Sequence, residues 1–163
     1  MAEPKSNLLP SVLDRLIDEN PDAAQDTQRS RTQQLTALRN AVRRDLEALL
    51  NSHCRCLSPG PDLTELRQSV IEYGVRDFLS DYAGGAEFRE EFRTALQDTI
   101  RRFEPRFINV SVKLRDDGDR LDRTLRFRID ALMYAEPAPE PVSFDSTLDP
   151  SSQSFSVAGF SDA

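Results

Sequence analysis

Ile100-Arg101-Arg102-Phe103-Glu104-Pro105-Arg106-Phe107-Ile108-Asn109-Val110 is where this chain changes its period. Before it, Phe88, Phe92, Leu96, Thr99 and Phe103 recur three and four apart, the spacing of one helix face. After it, Arg106, Ile108, Val110, Val112 and Leu114 alternate with Phe107, Asn109, Ser111, Lys113 and Arg115, the period of a strand. Pro105 lacks an N–H and biases Glu104 away from helical angles, so the helix must stop at or before Glu104. Arg101 and Arg102 suit the negative end of the helix dipole. In an extended Glu104-Pro105-Arg106 both charged side chains point one way, toward the apolar face of the following strand. Charges aimed at a covered surface need partners. A local ion pair over the end of the core is one reading. A pair that reaches across to another chain is the other.

Working outward, 163 residues suit one domain with one core. Hydrophobic residues make 38% and charged residues 30%, the balance of a soluble chain. A formal charge of −7 argues against a binder of nucleic-acid backbone. No apolar run is long enough for a signal peptide or a membrane span, so the expectation is a cytoplasmic protein without direct membrane insertion. Two Cys, close together, imply no disulfide framework.

Toward the N-terminus, residues 1–30 read as a flexible arm. It carries one short amphipathic helix, with Leu9, Val12, Leu13, Leu16 and Ile17 on one face and Ser11 as its cap. That stripe docks on its own domain or on a neighbour. Residues 31–163 read as a single domain. Its first long helix runs from about Arg31 to Ser52, with Leu35, Leu38, Val42, Leu46 and Leu49 as its stripe and Arg43, Arg44, Asp45 and Glu47 on the solvated side. His53-Cys54-Arg55-Cys56 invites a metal reading, but a structural zinc site wants four ligands and the chain has no other His or Cys. A helix end with two half-buried thiols is the simpler reading, so no metal or other cofactor is assigned. Asp62 with Glu65 fits a capping box for a short helix on Leu63, Leu66, Val70 and Tyr73, which Gly74 can end. Phe78 reads as a plug for the core, and Gly84-Gly85 as the break before the helix that opens near Ala86.

Beyond the junction, Asp117-Gly118 marks a hairpin turn. The return strand puts Leu121, Arg123, Leu125, Phe127, Ile129, Ala131 and Met133 on one face. Lys113, Arg115, Arg126 and Arg128 form a basic stripe on the open side, either a solvated sheet face or a dock for an acidic strand or loop. Glu136 to Pro141 is a stiff proline spacer. After it, Val142, Phe144 and Leu148, then Phe155 and Val157, make a second and weaker hairpin, a candidate edge for another chain to join. The fold class is α+β, helices packed on a small antiparallel sheet.

Enzyme signals are thin: the chain has no Gly-rich phosphate loop and no nucleophile motif. The order of elements, with Glu104-Pro105-Arg106 at the junction, resembles the baseplate wedge family of contractile injection machines, and within it the TssE family of type VI secretion systems. The matching pieces are residues 8–16, the helix Arg44-Asp45-Leu46-Glu47-Ala48-Leu49-Leu50-Asn51, Tyr73-Gly74 with Asp77-Phe78, Glu104-Pro105-Arg106, and the closing strands around Val142-Ser143-Phe144 and Phe155-Ser156-Val157. The chain departs from the family at Arg76, where a proline is frequent, and at His53-Cys54-Arg55-Cys56. The resemblance implies a structural subunit of the cytoplasmic, membrane-docked baseplate that joins TssF and TssG in each wedge. It also implies a starting platform for the sheath proteins TssB and TssC, with TssK and the spike hub as possible neighbours. It associates Glu104, Pro105 and Arg106 with holding the wedge core. Lys113, Arg115, Arg126, Arg128, Val142 and Phe144 complete the candidate partner surface. The family's historical lysozyme-like label supplies the alternative, a glycan hydrolase acting on peptidoglycan.

Overall fold

Helix α4, Ala86–Phe103, stops where Pro105 requires. The Glu104 N–H still donates to the Ile100 carbonyl at 2.9 Å, and the next residue has no N–H to extend the ladder. Strand β1, Phe107–Arg115, follows almost at once. The computed structural model describes residues 8, 11–17, 22, 30–54, 60, 62–77, 86–115, 124–136 and 138–160. The Asp117-Gly118 turn, Phe78, Gly84-Gly85, Cys56, Leu121 and Arg123 lie outside the described residues.

The remaining elements are α1 (Val12–Leu16), α2 (Arg31–Leu50), α3 (Thr64–Arg67), a 3-10 turn at Val70–Glu72, β2 (Leu125–Met133), β3 (Glu140–Asp149) and β4 (Ser154–Phe160). The strands form a 4-stranded antiparallel meander in the order β1-β2-β3-β4. Helix α4 packs on β1 and α2 on β4, so the helices share one face of the sheet. The fold is α+β, as the two periods require. Among the described residues no helix is long and apolar enough to cross a membrane.

The helices start and bury as amphipathic patterns dictate. Ser30 caps α2 through a capping box with Gln33. Leu38, Val42, Leu46 and Leu49 of the expected stripe are buried, joined by Ala41 and Leu50. In α4 the core face is Phe92, Leu96 and Ile100 rather than the row through Thr99 and Phe103. Phe103 turns aside to meet Tyr73 edge-on, with ring centroids 5.3 Å apart. Phe92, Phe127 and Phe155, from α4, β2 and β4, form a triad with centroids 6.2 to 6.4 Å apart that closes the core.

Three expectations are corrected. First, the strand alternation fails at its start. Phe107 pairs with Met133 and Asn109 with Leu132, so Ile108 is an extra residue, a β-bulge. Phe107 turns in against Phe144, Ile108 is 55% exposed, and Val110 and Val112 point inward. Second, the C-terminal hairpin is not hung on a spacer. Pro141 lies within β3, opposite Leu132. It is tolerated because, among the described residues, β4 flanks β3 only from Phe144 onward, leaving β2 as its neighbour there. Val142, Phe144, Leu148, Phe155 and Val157 are core residues. Third, α3 lacks the predicted capping box. Its N-cap is Leu63, with no side-chain hydrogen bond, and Leu63, Leu66 and Val70 are exposed.

Gly74 does more than end a helix. Its φ is +111°, and a Cβ there would stand 2.3 Å from the Ser52 carbonyl oxygen. That close approach lets Val75 bridge to the 52–54 segment, with Val75 N donating to Ser52 O at 2.7 Å and Val75 O accepting from Cys54 N at 3.1 Å.

Candidate functional site

The Glu104-Pro105-Arg106 junction is the most charged place in the interior. The Glu104 side chain is 5% exposed and that of Arg106 15%. Arg106 Nε donates to Glu104 Oε1 at 2.6 Å and Nη2 to Oε2 at 2.5 Å, a fork-to-fork pair. The Arg106 backbone N–H adds a bond to Oε1 at 3.1 Å. Pro105 sets the bend that brings donor and acceptor together two residues apart. Both residues point inward, as the sequence suggested, but the bulge at Ile108 breaks the parity that would have placed them on the strand's apolar face.

The pair continues into α2. Arg106 Nη2 also donates to Asp45 Oδ2 at 2.7 Å. Asp45 Oδ1 accepts from Arg44 Nη2 at 3.0 Å, and Arg44 Nη2 reaches Asp14 Oδ1 at 2.7 Å. The other oxygen of Asp14 accepts from the N–H and hydroxyl of Ser11 and so caps α1. An unbroken line of alternating charges therefore runs from the α4–β1 junction across α2 to α1. Burial works against the charge of Arg106, but its bonds to Glu104 and then Asp45 outweigh that and raise its pKa above the ordinary value. Burial, then the negative fields of Asp45 and Glu104, push the Tyr73 hydroxyl up. Burial pushes Asp14 up, yet the bonds from Ser11 and Arg44 prevail and hold it below the usual range.

This site is a clamp. Both oxygens of Glu104 are taken by Arg106. Arg106 Nη1 is buried without an acceptor among the described residues, the one spare donor at the junction. Among the described residues no three His, Cys, Asp or Glu side chains converge as metal ligands. His53 bridges to Val75 and Cys54 is half-buried beside it.

The other predicted residues divide. Pro105 is exposed. Lys113, Arg115, Arg126 and Arg128 share the sheet face away from the helices, with Lys113 opposite Arg128 and Arg115 opposite Arg126. They do not form an unbroken basic stripe. Asp130 pairs with Lys113 at 2.9 Å and Arg128 at 3.0 Å, and Asp145 with Arg115 at 3.1 Å. Val142 and Phe144 are 5% and 0% exposed and face the core, so a partner does not meet their side chains. The N-terminal stripe is not docked on its own domain: Val12 and Leu16 are each 76% exposed, and α1 is tied down through Asp14 instead.

Sequence reasoning missed Asp45, Arg44 and Asp14 as partners of the junction. Periodicity assigned Asp45 and Arg44 to a solvated helix face, and nothing local pairs Asp45 with an arginine 61 residues later. The available signal was the helix Arg44-Asp45-Leu46 among the pieces that carry the resemblance.

A family model described as Baseplate wedge protein gp25 matches residues 36–138. The match runs from α2 to the segment before β3 and includes Asp45, Glu104, Pro105 and Arg106. No curated protein and no solved structure matches the chain. Spanning well over half of the 163 residues, that match settles the family: the chain belongs to that of the baseplate wedge protein gp25.

Proposed function

We propose that the chain is a structural wedge subunit of a type VI secretion baseplate, a TssE-type protein. In this reading it joins TssF and TssG at the cytoplasmic, membrane-docked baseplate and offers a platform for the sheath proteins TssB and TssC, near TssK and the spike hub. The observation that carries the reading is the family match across the Glu104-Pro105-Arg106 junction. The clamp geometry supports it, because two oxygens bound to one guanidinium suit a rigid scaffold better than a proton-transfer centre. The exposed Pro105 is the part of the junction through which a partner would engage it.

Co-purification with TssF and TssG tests the reading. The junction variant must still fold, so Glu104→Leu/Arg106→Met is the informative one: it removes the charge pair without leaving either charge alone in the interior. A folded double variant that loses both partners supports a wedge contact through the junction. Wild-type chain that retains neither partner, or that cleaves peptidoglycan with turnover abolished by Glu104→Gln, overturns the structural role.

A further inference from the structure

The 3-10 turn at Val70–Glu72 is folded the wrong way round for its residues. Val70 is 87% exposed and Ile71 37%, while the Glu72 side chain is only 8% exposed. Two apolar residues are given to water and a carboxylate is taken from it, although an ionised carboxylate is costly to bury without a close partner. The partner it has is a poor one. Among the described residues the one cation within ion-pair range is Arg102, whose Nη1 stands 3.8 Å from Glu72 Oε2, beyond hydrogen-bond range. Arg102 directs that same nitrogen to the Arg67 carbonyl at 3.4 Å, and its guanidinium lies 5.9 Å from the centre of the Phe103 ring. Conflicts between local preference and burial collect at functional sites.

Glu72 lines a cleft of about 230 Å³. One wall is α4, where Glu91, Ala95, Asp98 and Arg102 follow at helical spacing and share one face. Ala95, the small residue of that row, leaves the room. The other wall holds Glu72, Gly74 and Arg76. Gly74 fixes this wall, because its close approach to Ser52 ties the segment to the chain just past α2. Three carboxylates and two guanidiniums border the cleft, so the acids are in excess. Glu91 and Asp98 are exposed, and two helical turns set them roughly 10 Å apart along the axis. Among the described residues no three acidic, His or Cys side chains converge as metal ligands. The arrangement suits an elongated cation, with its charged head on Glu72 and its stem between the walls.

We infer that this cleft is a binding site for an arginine side chain of another protein, seated with its guanidinium on Glu72. A guanidinium suits a buried carboxylate better than an ammonium does, because it is more weakly hydrated and offers paired donors to two oxygens. Glu91 and Asp98 draw the cation to the mouth, and Ala95 faces its apolar stem. Val70 and Ile71, turned outward on the same turn as Glu72, are what a protein chain would cover and a free small cation would not. The inference does not rest on the wedge assignment, and the cleft includes no residue of the Glu104-Pro105-Arg106 junction.

The test is an NMR titration of the full chain with N-acetyl-arginine amide, whose side chain is its only charge. It is read at the amides of Gly74 and Thr99, which both line the cleft. The shifts should saturate, and N-acetyl-lysine amide should bind more weakly. Glu72→Gln keeps the size of the side chain and removes its charge, so it should weaken binding of the arginine probe by about tenfold or more. Ala95→Leu should weaken it too, by filling the cleft while every charge stays in place. If Glu72→Gln does not fold, Ala95→Leu carries the test. A chain of formal charge −7 gathers cations loosely over its surface, so saturation and dependence on Glu72 are the criteria. Shifts that do not saturate, or that are the same in wild type and a folded variant, overturn the site. A lysine probe that binds as tightly overturns the guanidinium. Free arginine that binds more tightly than its blocked form overturns the protein side chain as the occupant.

Discussion

Arg106→Met removes the centre of the buried charge line while keeping an unbranched apolar stem in its place. Among the described residues, Glu104 is then left 5% exposed with only the backbone N–H of residue 106, and Asp45 keeps only Arg44. Breaking a buried pair from one side costs about 3–5 kcal/mol, because the surviving charge has no substitute for water. For a chain of this length each kcal/mol lowers the melting temperature by roughly 2–4 °C, so the melt should drop by about 6–20 °C. The control is Lys113→Ala. Lys113 is 68% exposed and its partner Asp130 31%, and an exposed pair contributes only about 0–1 kcal/mol. Glu104→Leu/Arg106→Met should recover at least half of the loss, since no isolated charge then remains inside. Calorimetry on the four proteins reads all of this. An Arg106→Met melt within about 4 °C of wild type, the range of a surface pair, would refute the buried clamp. So would a double variant less stable than the single one.

Deleting residues 142–163 should abolish folding. It removes Val142, Phe144, Leu148, Phe155 and Val157 from the core, each contributing about 1.5–3 kcal/mol of burial, which together match the whole stability of a typical domain. A cooperative melt of the truncated chain would contradict that. Gly74→Ala should destabilise by at least about 1–3 kcal/mol from backbone strain alone, before the contact with Ser52 O is counted, as urea unfolding would measure. Finally, α1 should come loose in acid. Its anchor Asp14 has a pKa held below the ordinary 3.8, so docking is complete above that value and is lost as pH falls through the lower folded value. An NMR titration should show the amides of residues 12–16 moving before the sheet does; simultaneous loss would mean that α1 has no separate equilibrium.

Local patterns carried most of the fold and little of the site. Pro105 and the change of period located the helix end and the start of β1, because backbone sterics act within two or three residues. The inward face of β2 was legible from Leu125 to Met133, since period-two burial is local too. The single extra residue at Ile108 was not, because a bulge is defined by its partner strand and leaves no trace in the alternation of one strand. Pro141 misled for the same reason: a proline that reads as a spacer is harmless in a strand paired, among the described residues, on one side. At the site, the Glu104–Arg106 pair was within reach of sequence reasoning, two residues apart around a fixed bend. Asp45 and Asp14 were not, because charged side chains follow no period and their pairing is decided only when α1, α2 and β1 meet.

The attachment of α2 to the last part of the chain also sets the order in which the molecule can form. Strands β1 to β4 each pair with the next in sequence, so the sheet can grow as the chain lengthens. Helix α2 is synthesised long before the strands it packs on. Its links to Glu140, Phe155 and Val157 span 101 to 114 residues. A lone helix of 20 residues is marginal in water even with its Ser30 cap. The apolar face of α2, with Leu38, Val42, Leu46 and Leu49, is therefore fully covered only once β4, the strand it packs on, has been made. The interval between those two events is when this chain is open to wrong partners.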